Sequence, residues 1–459
     1  METDIRILEI QPYFTRERSR TPLKFGGVVM DSAWLCHVRV LVENRRGERG
    51  EGWGAIFLSD VWGWPSSRVD HPQRENLMVQ LVRSWCRRLR DVQDSSHPID
   101  LFWELEPELE TLARDLCRDA GAAEEMPRLN ALICASAADA ALHDAFGNTA
   151  GIDTYLGYGP GHMDHDLSRW LGSSYAGRYV EDFLHPLPEQ VDAFHLVGGM
   201  DKLSEAEVTE DDPDDGLPVS LDQWIRYEAL RCLKVKLVGT DLEWDLNRLL
   251  EVYRLARAEQ RRLGIDELWL TADTNEMCGT PQYMVELLVR LREENRAAFD
   301  SLLYVEQPCE RDLRKRMLDM TELRQIKPVI VDEALSSLED LELALELGYS
   351  GLALKTCKCQ SAELVLASRA AAAGVPFAVQ DLTNPGIALL QSAGLAGRLQ
   401  TIRGVESNSR QFFPASSEPE RAVHPGFFKL EQGRIRTSTL RGPGLGYQWD
   451  RIDRRFETS

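Results

Sequence analysis

Three short apolar segments in the second half of the chain each end in a carboxylate. LWLTAD ends in Asp273, LLYVE ends in Glu306, and VIVD ends in Asp332, which Glu333 follows directly. A single carboxylate after a strand can be a solvated loop residue, but three at successive strands converge on one place. Like charges away from water repel each other and need a cation between them. Oxygen ligands without His or Cys favour Mg²⁺, so the sequence predicts a magnesium site, with Glu333 either behind it or paired with a lysine.

Lysines flank these carboxylates. Lys234 and Lys236 are two apart in LKVKL, which puts them on the same side of a strand. Lys355 and Lys358 follow a later apolar segment, although the chain holds only nine lysines against 44 arginines. Arginine cannot lose its proton, whereas the pKa of a lysine near other cations falls and the amine can act as a base. The choice of lysine therefore indicates proton transfer.

Strand-like segments alternate with helical ones over the region that carries these residues. Helical patterns such as SLEDLELALELG and AELVLASRAAAAG separate the apolar runs. This alternation predicts right-handed β-α-β units and eight parallel strands in a closed barrel. An open doubly wound sheet is the alternative, but no G-x-G-x-x-G follows the first strand, and GPGLGY near the C-terminus is a plain loop. The predicted strands are 193–198, 231–237, 267–272, 301–305, 328–331, 351–354, 376–379 and 399–404.

Composition narrows the class of partner. The chain has 459 residues, 43% of them hydrophobic, and a formal charge of −21. That charge excludes nucleic acid and anionic membrane as partners and favours a small molecule. We expect a cytoplasmic protein, because the first residues lack a signal-peptide pattern and no apolar stretch approaches about 18 residues. Nine scattered cysteines, including the C-x-C of Cys357 and Cys359, are expected to be reduced core thiols.

The ordered strand-end motifs resemble those of the enolase superfamily. The set K-x-K, Asp, Glu, Asp and a second lysine is similar to the two-lysine, muconate-lactonizing subgroup of the mandelate racemase-like members. AADAALHDAFGNTAGIDTYLG, PLKFGG, GEGWGAIFLS and GPGLGY extend the resemblance over nearly the whole chain. The resemblance implies an α/β fold, a modified TIM barrel (β/α)7β with an N-terminal α+β capping domain. Residues 1–155 would form the cap, completed by 425–459, and residues 156–424 the barrel.

The same resemblance assigns roles to individual residues. Lys236 would be the acid/base catalyst on one face of the substrate and Lys355 the one on the opposite face. Lys234 would lie against the substrate carboxylate or tune Lys236. The metal ligands it implies are Asp273, Glu306 and Asp332.

Substrate contacts are expected at the strand ends, and the resemblance implies further contacts from two loops of the cap. Asn275 follows the third strand, and Glu406 follows the eighth as a substrate contact or a solvated loop residue. Asp381 and Asn384, in AVQDLTNPG, would contact substrate or cap a helix. The cap loops lie around Phe25 to Val28 and around Trp62 to Trp64. The tryptophans form either an apolar wall for the substrate or a local core of the cap.

The chain departs from its relatives in three places. No histidine lies between His195 and His424, so the sixth and seventh strands cannot supply a His-Asp dyad. CKCQSAEL stands where many relatives have Gly-Gly. The acidic stretch 201–220 follows the first strand and is either a lid or a solvated insertion.

The predicted reaction is Mg²⁺-dependent removal of a proton α to a carboxylate, which gives an enolate. An isomerase is expected: a racemase, an epimerase or a cycloisomerase. The alternatives are a sugar-acid dehydratase, with Lys355 or Asp381 replacing the missing histidine, and a non-catalytic metal-binding barrel. The substrate would be a small carboxylate, and the family tendency is toward homo-oligomers.

Overall fold

An antiparallel three-stranded sheet and four helices come first in the computed structural model. It describes residues 1–25 and 28–456, and of those it leaves aside the side chains of residues 24–30. The strands are β1 (Ile5–Phe25), β2 (Val28–Asn44) and β3 (Arg49–Leu58). The helices are α1 (Asp60–Gly63), α2 (His71–Arg90), α3 (Pro98–Asp119) and α4 (Arg128–Ala150). We call this region, with its sheet and helices, the cap.

Helix α4 packs directly on the backbone of β3. A Cβ atom at Gly52 would lie 2.2 Å from the backbone nitrogen of Ala145, and one at Gly54 would lie 2.1 Å from the carbonyl oxygen of Ala137. Glycines at alternate positions of the strand therefore meet alanines on one face of the helix, at a distance that larger side chains would prevent. The motifs GEGWGAIFLS and AADAALHDAFG are thus two halves of one contact.

Eight parallel strands form the second region. They pair in chain order, and the last also pairs with the first, with Val405 opposite Ala193 and Glu406 opposite Phe194. This closure confirms the predicted barrel and excludes the open doubly wound sheet. The strands are β4 (Gln190–Val197), β5 (Cys232–Lys236), β6 (Trp269–Asp273), β7 (Leu302–Glu306), β8 (Val329–Val331), β9 (Gly351–Lys355), β10 (Phe377–Gln380) and β11 (Val405–Glu406).

Helices connect the barrel strands as the alternating pattern predicts. SLEDLELALELG contains α12 (Leu338–Glu346), and AELVLASRAAAAG covers all but the first two residues of α13 (Gln360–Ala372). A short helix, α5 (Ser168–Leu171), precedes β4. The connecting helices are α6 (Leu221–Glu228), α7 (Leu242–Arg262), α8 (Gln282–Glu294), α9 (Arg296–Ser301), α10 (Leu313–Arg316), α11 (Thr321–Ile326), α12 (Leu338–Glu346), α13 (Gln360–Ala372) and α14 (Ile387–Arg398).

The eighth strand lies later than the sequence predicts. The apolar run 399–404 leads out of α14, and β11 begins only at Val405. Gly404 has a φ of +49°, and a Cβ atom there would lie 1.9 Å from the carbonyl oxygen of Asp192. A left-handed turn at this glycine therefore brings the chain into register with β4. Glu406 consequently lies within the strand and not in a loop after it.

The C-terminal part joins both regions. Strand β12 (Arg434–Arg436) pairs antiparallel with β4, while Trp449 stacks on Trp53 of the cap at a ring distance of 4.1 Å. GPGLGY is a loop whose Gly444 accepts a hydrogen bond from the backbone of Thr154. The elements are α15 (Ser409–Phe412), α16 (Glu418–Val423), α17 (Pro425–Phe428) and β12 (Arg434–Arg436).

A hairpin arm extends from the cap sheet toward the barrel. We define it as residues 15–23 of β1 with 31–35 of β2. Its Leu23 packs in a cluster with Leu196 of β4 and with Phe412 and Phe413. Among the described residues, no helix is both long enough and apolar enough to span a lipid bilayer.

Candidate active site

Strands β5 to β9 end in one buried cluster at the carboxyl end of the barrel. Lys236 pairs with Asp273 across β5 and β6, and Asp273 pairs with Glu306 across β6 and β7. Residues paired in register lie side by side, so the predicted carboxylates follow one another around the barrel. None of the lysines and carboxylates at these strand ends exposes more than 8% of its surface; they are Lys234, Lys236, Asp273, Glu306, Asp332 and Lys355.

Lys236 is held by two residues of the β6 end. Its Nζ donates to Asp273 Oδ2 at 2.5 Å and to Asn275 Oδ1 at 2.9 Å. Asn275 has a φ of +43°, which is uncommon for a residue with a side chain. That conformation lets Asn275 bind Lys236 through its oxygen while its amide nitrogen donates to Glu333 Oε1 at 3.0 Å.

Lys234 lies among three carboxylates. Its Nζ is 2.7 Å from Glu306 Oε1, 3.0 Å from Glu406 Oε2 and 3.1 Å from Asp273 Oδ2. Burial opposes the charge of Lys234, but the three carboxylates outweigh it and raise the pKa of this amine well above its usual range. The structure thus brings Lys234 to the candidate ligands as well as to Glu406.

Asp332 is paired with two lysines. Lys355 Nζ lies 2.8 Å from Asp332 Oδ2, and Lys358 Nζ donates to the Asp332 carbonyl at 2.8 Å and to Oδ1 at 3.2 Å. Burial disfavours the ionised form of Asp332, but Lys355 and Lys358 overcome it and lower the pKa of the carboxyl to about 2. Lys358 is only 1% exposed, so it belongs to the buried cluster as well.

Glu306 is the carboxylate of the cluster whose ionised form is most disfavoured by its surroundings. Burial raises the pKa of its carboxyl well above the usual value, and the neighbouring charge of Asp273 raises it further. Asp332 adds to the same effect, which shows that the three carboxylates interact with one another. A cation bound among the oxygens of these three carboxylates would therefore favour the ionised form of Glu306.

Glu333 and Trp62 connect the barrel to the cap. Trp62 Nε1 donates to Glu333 Oε1 at 3.1 Å, and Lys355 Nζ lies 4.6 Å from the centre of the Trp62 ring. Burial, followed by the charge of Asp332, raises the pKa of Glu333 to about 7. Its described partners are Trp62 and Asn275, so of the two alternatives for Glu333 the pairing with a lysine is not what the structure has.

The other predicted cap residues do not join the cluster. Trp64 is 1% exposed and its indole nitrogen donates to Glu124 Oε1 at 2.7 Å, within the cap. Its contacts are those of the local core that the sequence allowed as an alternative. The side chains of Phe25 and Val28, and the two residues between them, lie outside the described part of the chain.

The ends of β10 and β11 place more polar groups beside the lysines. Glu406 accepts from Lys234 and from Asn408 Nδ2, at 3.0 and 2.5 Å. Asp381 accepts from the backbone nitrogens of Thr383 and Asn408, while burial, followed by the charge of Glu406, raises its pKa to about 7.

Neither Asp381 nor Asn384 caps a helix, because α14 begins at Ile387 after Gly386. The alternative reading of these two residues as a helix N-cap is therefore wrong. Asn384 Oδ1 accepts from the backbone nitrogen of Phe57 at 3.3 Å, and this bond ties the barrel to strand β3.

Sequence reasoning missed two residues that the fold brings to the site. Gln380 ends β10 and donates to Glu306 Oε2 at 2.5 Å. Arg311, five residues beyond Glu306, donates to the carbonyl oxygen of Trp62 at 2.9 Å. The final position of FAVQ could have indicated Gln380, whereas the contact of Arg311 depends on the cap and leaves no local signal.

The donor set of the cluster fits a hard cation. Asp273, Glu306 and Asp332 offer only carboxylate oxygens, and the buried atom Glu333 Oε2 beside them has no hydrogen-bond partner among the described residues. The ammonium of Lys234 lies between Asp273 and Glu306, so a cation bound by both would have to share these oxygens with it or displace it.

A second group of ligand-type atoms lies in the cap, where Asp60, His71 and Glu75 bring three within 4.8 Å of one another. Arg74 and Arg16 already neutralise its carboxylates.

Comparisons with known proteins agree with this architecture. Residues 219–453 match the family model described as enolase C-terminal domain-like. No curated protein matches the chain at a significant level.

Several solved structures share the fold at low sequence identity. N-succinyl Arg/Lys racemase from Bacillus cereus has a TM-score of 0.61 and 18% identity, covering 98% of this chain and 97% of its own. Muconate lactonizing enzyme from Pseudomonas fluorescens, complexed with muconolactone, has a TM-score of 0.61 and 16% identity, with 97% and 98% covered. Dipeptide epimerase from Enterococcus faecalis, complexed with Mg and the dipeptide L-Leu-L-Tyr, has a TM-score of 0.56 and 16% identity, with 87% and 90% covered.

Proposed function

Because the chain belongs to the enolase C-terminal domain-like family, we propose that it removes the proton α to a substrate carboxylate and so forms an enolate. The observation that carries the proposal is the position of two lysines. Lys236 ends β5 and Lys355 ends β9, and these strands are four apart in a closed barrel of eight. Strands that far apart face each other across the barrel axis, so the two amines are on opposite sides of anything bound between them.

Asp273, Glu306 and Asp332 would hold the Mg²⁺ that we propose as cofactor. Their oxygen atoms suit a hard divalent ion, and they come from three successive strands. When bound, the ion would stabilise the negative charge that develops on the substrate carboxylate as the proton leaves.

Lys236 is the proposed base on one face of the substrate. Asp273 and Asn275 hold its Nζ from two directions, which fixes the amine at the end of its flexible side chain. Lys355 on the other face either delivers a proton or remains a cation beside the enolate. The first case makes a racemase or epimerase, and the second makes a cycloisomerase.

The remaining polar groups are proposed substrate contacts. Glu406, Asp381, Asn384 and Lys234 lie on or after strands β5, β10 and β11, at the carboxyl end of the barrel. The dipeptide and the lactone bound by two of the similar structures, together with the N-succinyl amino acids named for the racemase, suggest dipeptides, lactones and N-acyl amino acids as the first compounds to test.

A dehydratase is the second candidate, and Asp381 favours it. Its carboxyl is buried beside Glu406, and burial raises its pKa to about 7. A carboxyl with a pKa near neutrality can donate a proton to a leaving hydroxide. Release of a 2-keto acid from an aldonic acid would identify this reaction.

Solvent-deuterium exchange tests the proposal. The protein, with Mg²⁺ in D₂O, is mixed with N-acyl amino acids, dipeptides, lactones and aldonic acids, and deuterium incorporation is followed by mass spectrometry. In a racemase, Lys236→Ala loses exchange from one enantiomer and Lys355→Ala from the other, whereas in a cycloisomerase only one variant loses exchange. Lys315→Ala is the control, because Lys315 is exposed and pairs with Glu310 at the surface. Full exchange in both single variants would exclude the lysines as bases.

A further inference from the structure

Arg311 connects the cap to the loop after β6. Its Nη1 donates to the carbonyl oxygen of Trp62 at 2.9 Å, and its Nε donates to Glu276 Oε1 and Oε2 at 2.8 and 3.0 Å. The backbone nitrogen of Arg311 also donates to Glu276 Oε1, at 2.7 Å. A guanidinium that binds a carboxylate and a carbonyl at once fixes both groups relative to each other.

Glu276 belongs to a segment of unusual backbone. It has a φ of +69°, and Asn275 before it has a φ of +43°. Two consecutive residues with side chains in the left-handed region cost energy, and such conformations persist where surrounding contacts enforce them. Here the contacts are the Arg311 pair and the hydrogen bond from the Glu276 nitrogen to the carbonyl oxygen of Gln307, at 3.0 Å. The result is the orientation of Asn275 toward Lys236 and Glu333.

Trp62 has the contacts of a supporting residue. Its ring is 4.6 Å from Lys355 Nζ and 5.9 Å from Lys358 Nζ, and its indole nitrogen donates to Glu333. Only 3% of the residue is exposed, so protein atoms cover nearly all of it. An aromatic face holds an ammonium in place by attraction to the ring quadrupole.

We infer that Arg311 is a positioning residue that acts through Trp62 and Glu276 to set the two facing lysines at once. Trp62 holds Lys355 from the cap, and Glu276 holds Asn275, which binds Lys236. Glu333 closes the connection, because it accepts from both Trp62 and Asn275. The assignment of reacting roles to the lysines rests on the proposed function, whereas the contacts themselves do not.

The first arm of the test needs no substrate. In a ¹⁵N-¹H spectrum, the indole signal of Trp62 is identified by its absence in Trp62→Phe. Arg311→Ala should shift or broaden that signal and should raise hydrogen exchange in the cap segment 59–64. Arg314→Ala is the matched control, because Arg314 is three residues away and pairs with Asp340 with 61% of its side chain exposed. An unchanged Trp62 signal in Arg311→Ala would overturn the inference, even if no substrate had been found.

The second arm uses the deuterium exchange described above. Arg311→Ala should lower kcat about tenfold to a hundredfold with KM changed less than about threefold, since displacement by 1 Å can cost that much. Arg311→Lys should recover part of kcat, because one ammonium can replace only some of the hydrogen bonds that the guanidinium donates. Trp62→Phe keeps the ring and should retain more kcat than Trp62→Leu. If Trp62→Phe raised KM and left kcat unchanged, Trp62 would contact the substrate. If Arg311→Ala lowered the melting temperature and left kcat unchanged, Arg311 would only stabilise the fold. Either result would overturn the inference.

Discussion

Each of the two facing lysines is paired with a carboxylate that is also a candidate metal ligand. Lys236 binds Asp273, and Lys355 binds Asp332. Removing one carboxylate therefore changes the charge around a lysine as well as the oxygens offered to a cation. Metal binding and activity have to be measured separately in such variants.

Replacing Asp273, Glu306 or Asp332 with Ala should weaken Mg²⁺ binding and abolish activity while leaving the fold largely intact. Each change removes a ligand, but it also removes one of three like charges that repel one another. We expect roughly a hundredfold or greater loss of Mg²⁺ affinity, since even the partners behind metal ligands are worth about 10–100-fold. Calorimetric titration with Mg²⁺ and thermal melting are the measurements.

Glu310→Ala provides the comparison for the metal titrations, because Glu310 lies four residues after Glu306 and is partly exposed. Undiminished Mg²⁺ affinity in two of the three cluster variants would contradict the proposed site.

At the scale of elements, the acidic stretch 201–220 is bound to the hairpin arm. Arg20 of β1 donates from Nε to Asp215 Oδ2 at 2.6 Å and from Nη2 to Asp215 Oδ1 at 2.8 Å. It also donates to the carbonyl oxygens of Leu217 and Pro218, both at 2.9 Å. The stretch is thus fixed to the cap through one arginine, and its description as a plain solvated insertion leaves out this contact.

Arg20→Ala should release residues 210–218 from the hairpin arm. The variant loses four donor contacts from a side chain that is only 7% exposed, while Asp215 is 43% exposed. We expect global stability to fall by only about 1 kcal/mol, because partly exposed ion pairs contribute little. Hydrogen exchange and cleavage by a protease in 210–218 should rise clearly.

Arg18→Ala tests the same strand at an exposed position and should change neither measurement. Equal exchange rates in 210–218 for the wild type and Arg20→Ala would show that other contacts hold this stretch.

At the scale of the whole molecule, Asp144 joins three parts of the chain. This α4 residue accepts from the backbone nitrogen of Trp53 on β3 at 3.0 Å and from that of Leu445 in the C-terminal loop at 2.7 Å. Burial raises the pKa of Asp144 to about 7, although these donors partly oppose the shift. The junction therefore contains a carboxyl whose ordinary pKa of 3.8 applies only in the unfolded chain.

Asp144→Asn should remove part of the pH dependence of stability. Between about pH 4 and pH 7 the folded protein keeps a proton on Asp144 that the unfolded chain has released. The contribution of this group is fully present below pH 4 and is lost as pH rises to 7, by up to about 1.4 kcal/mol per unit. Urea unfolding of the wild type and the variant at about pH 4.5 and pH 6.5 measures the difference.

Asp450→Asn is the control for this measurement, because Asp450 lies in the same C-terminal part and is exposed. Parallel stability curves for the wild type and Asp144→Asn would show that Asp144 is ionised in the folded protein.

The barrel was predictable because its signals are local. The apolar runs that lead to Lys236, Asp273, Glu306 and Lys355 all coincide with strands. A short apolar run and the polar residue that ends it are neighbours in the sequence, so both can be recognised locally. The eighth strand was misplaced because the turn at Gly404 depends on the position of β4, which the local sequence does not contain.

The contacts between cap and barrel could not be predicted in the same way. Trp62 and Trp64 are two residues apart, yet one reaches Lys355 and the other reaches Glu124. Which tryptophan faces the barrel depends on how α1 is placed by Arg311, 249 positions further along the chain. The spacing of residues in the sequence does not reveal that Arg311 and Trp62 are in contact.

The unequal use of lysine and arginine has a practical consequence for chemical labelling. Reagents that acylate amines leave arginine intact, and four of the nine lysines lie buried inside the barrel, namely Lys234, Lys236, Lys355 and Lys358. Acylation of these four requires that the reagent enter the barrel, whereas Lys315 at the surface reacts without any such entry. The ratio of label on the buried lysines to label on Lys315 therefore measures how often the barrel opens to solvent.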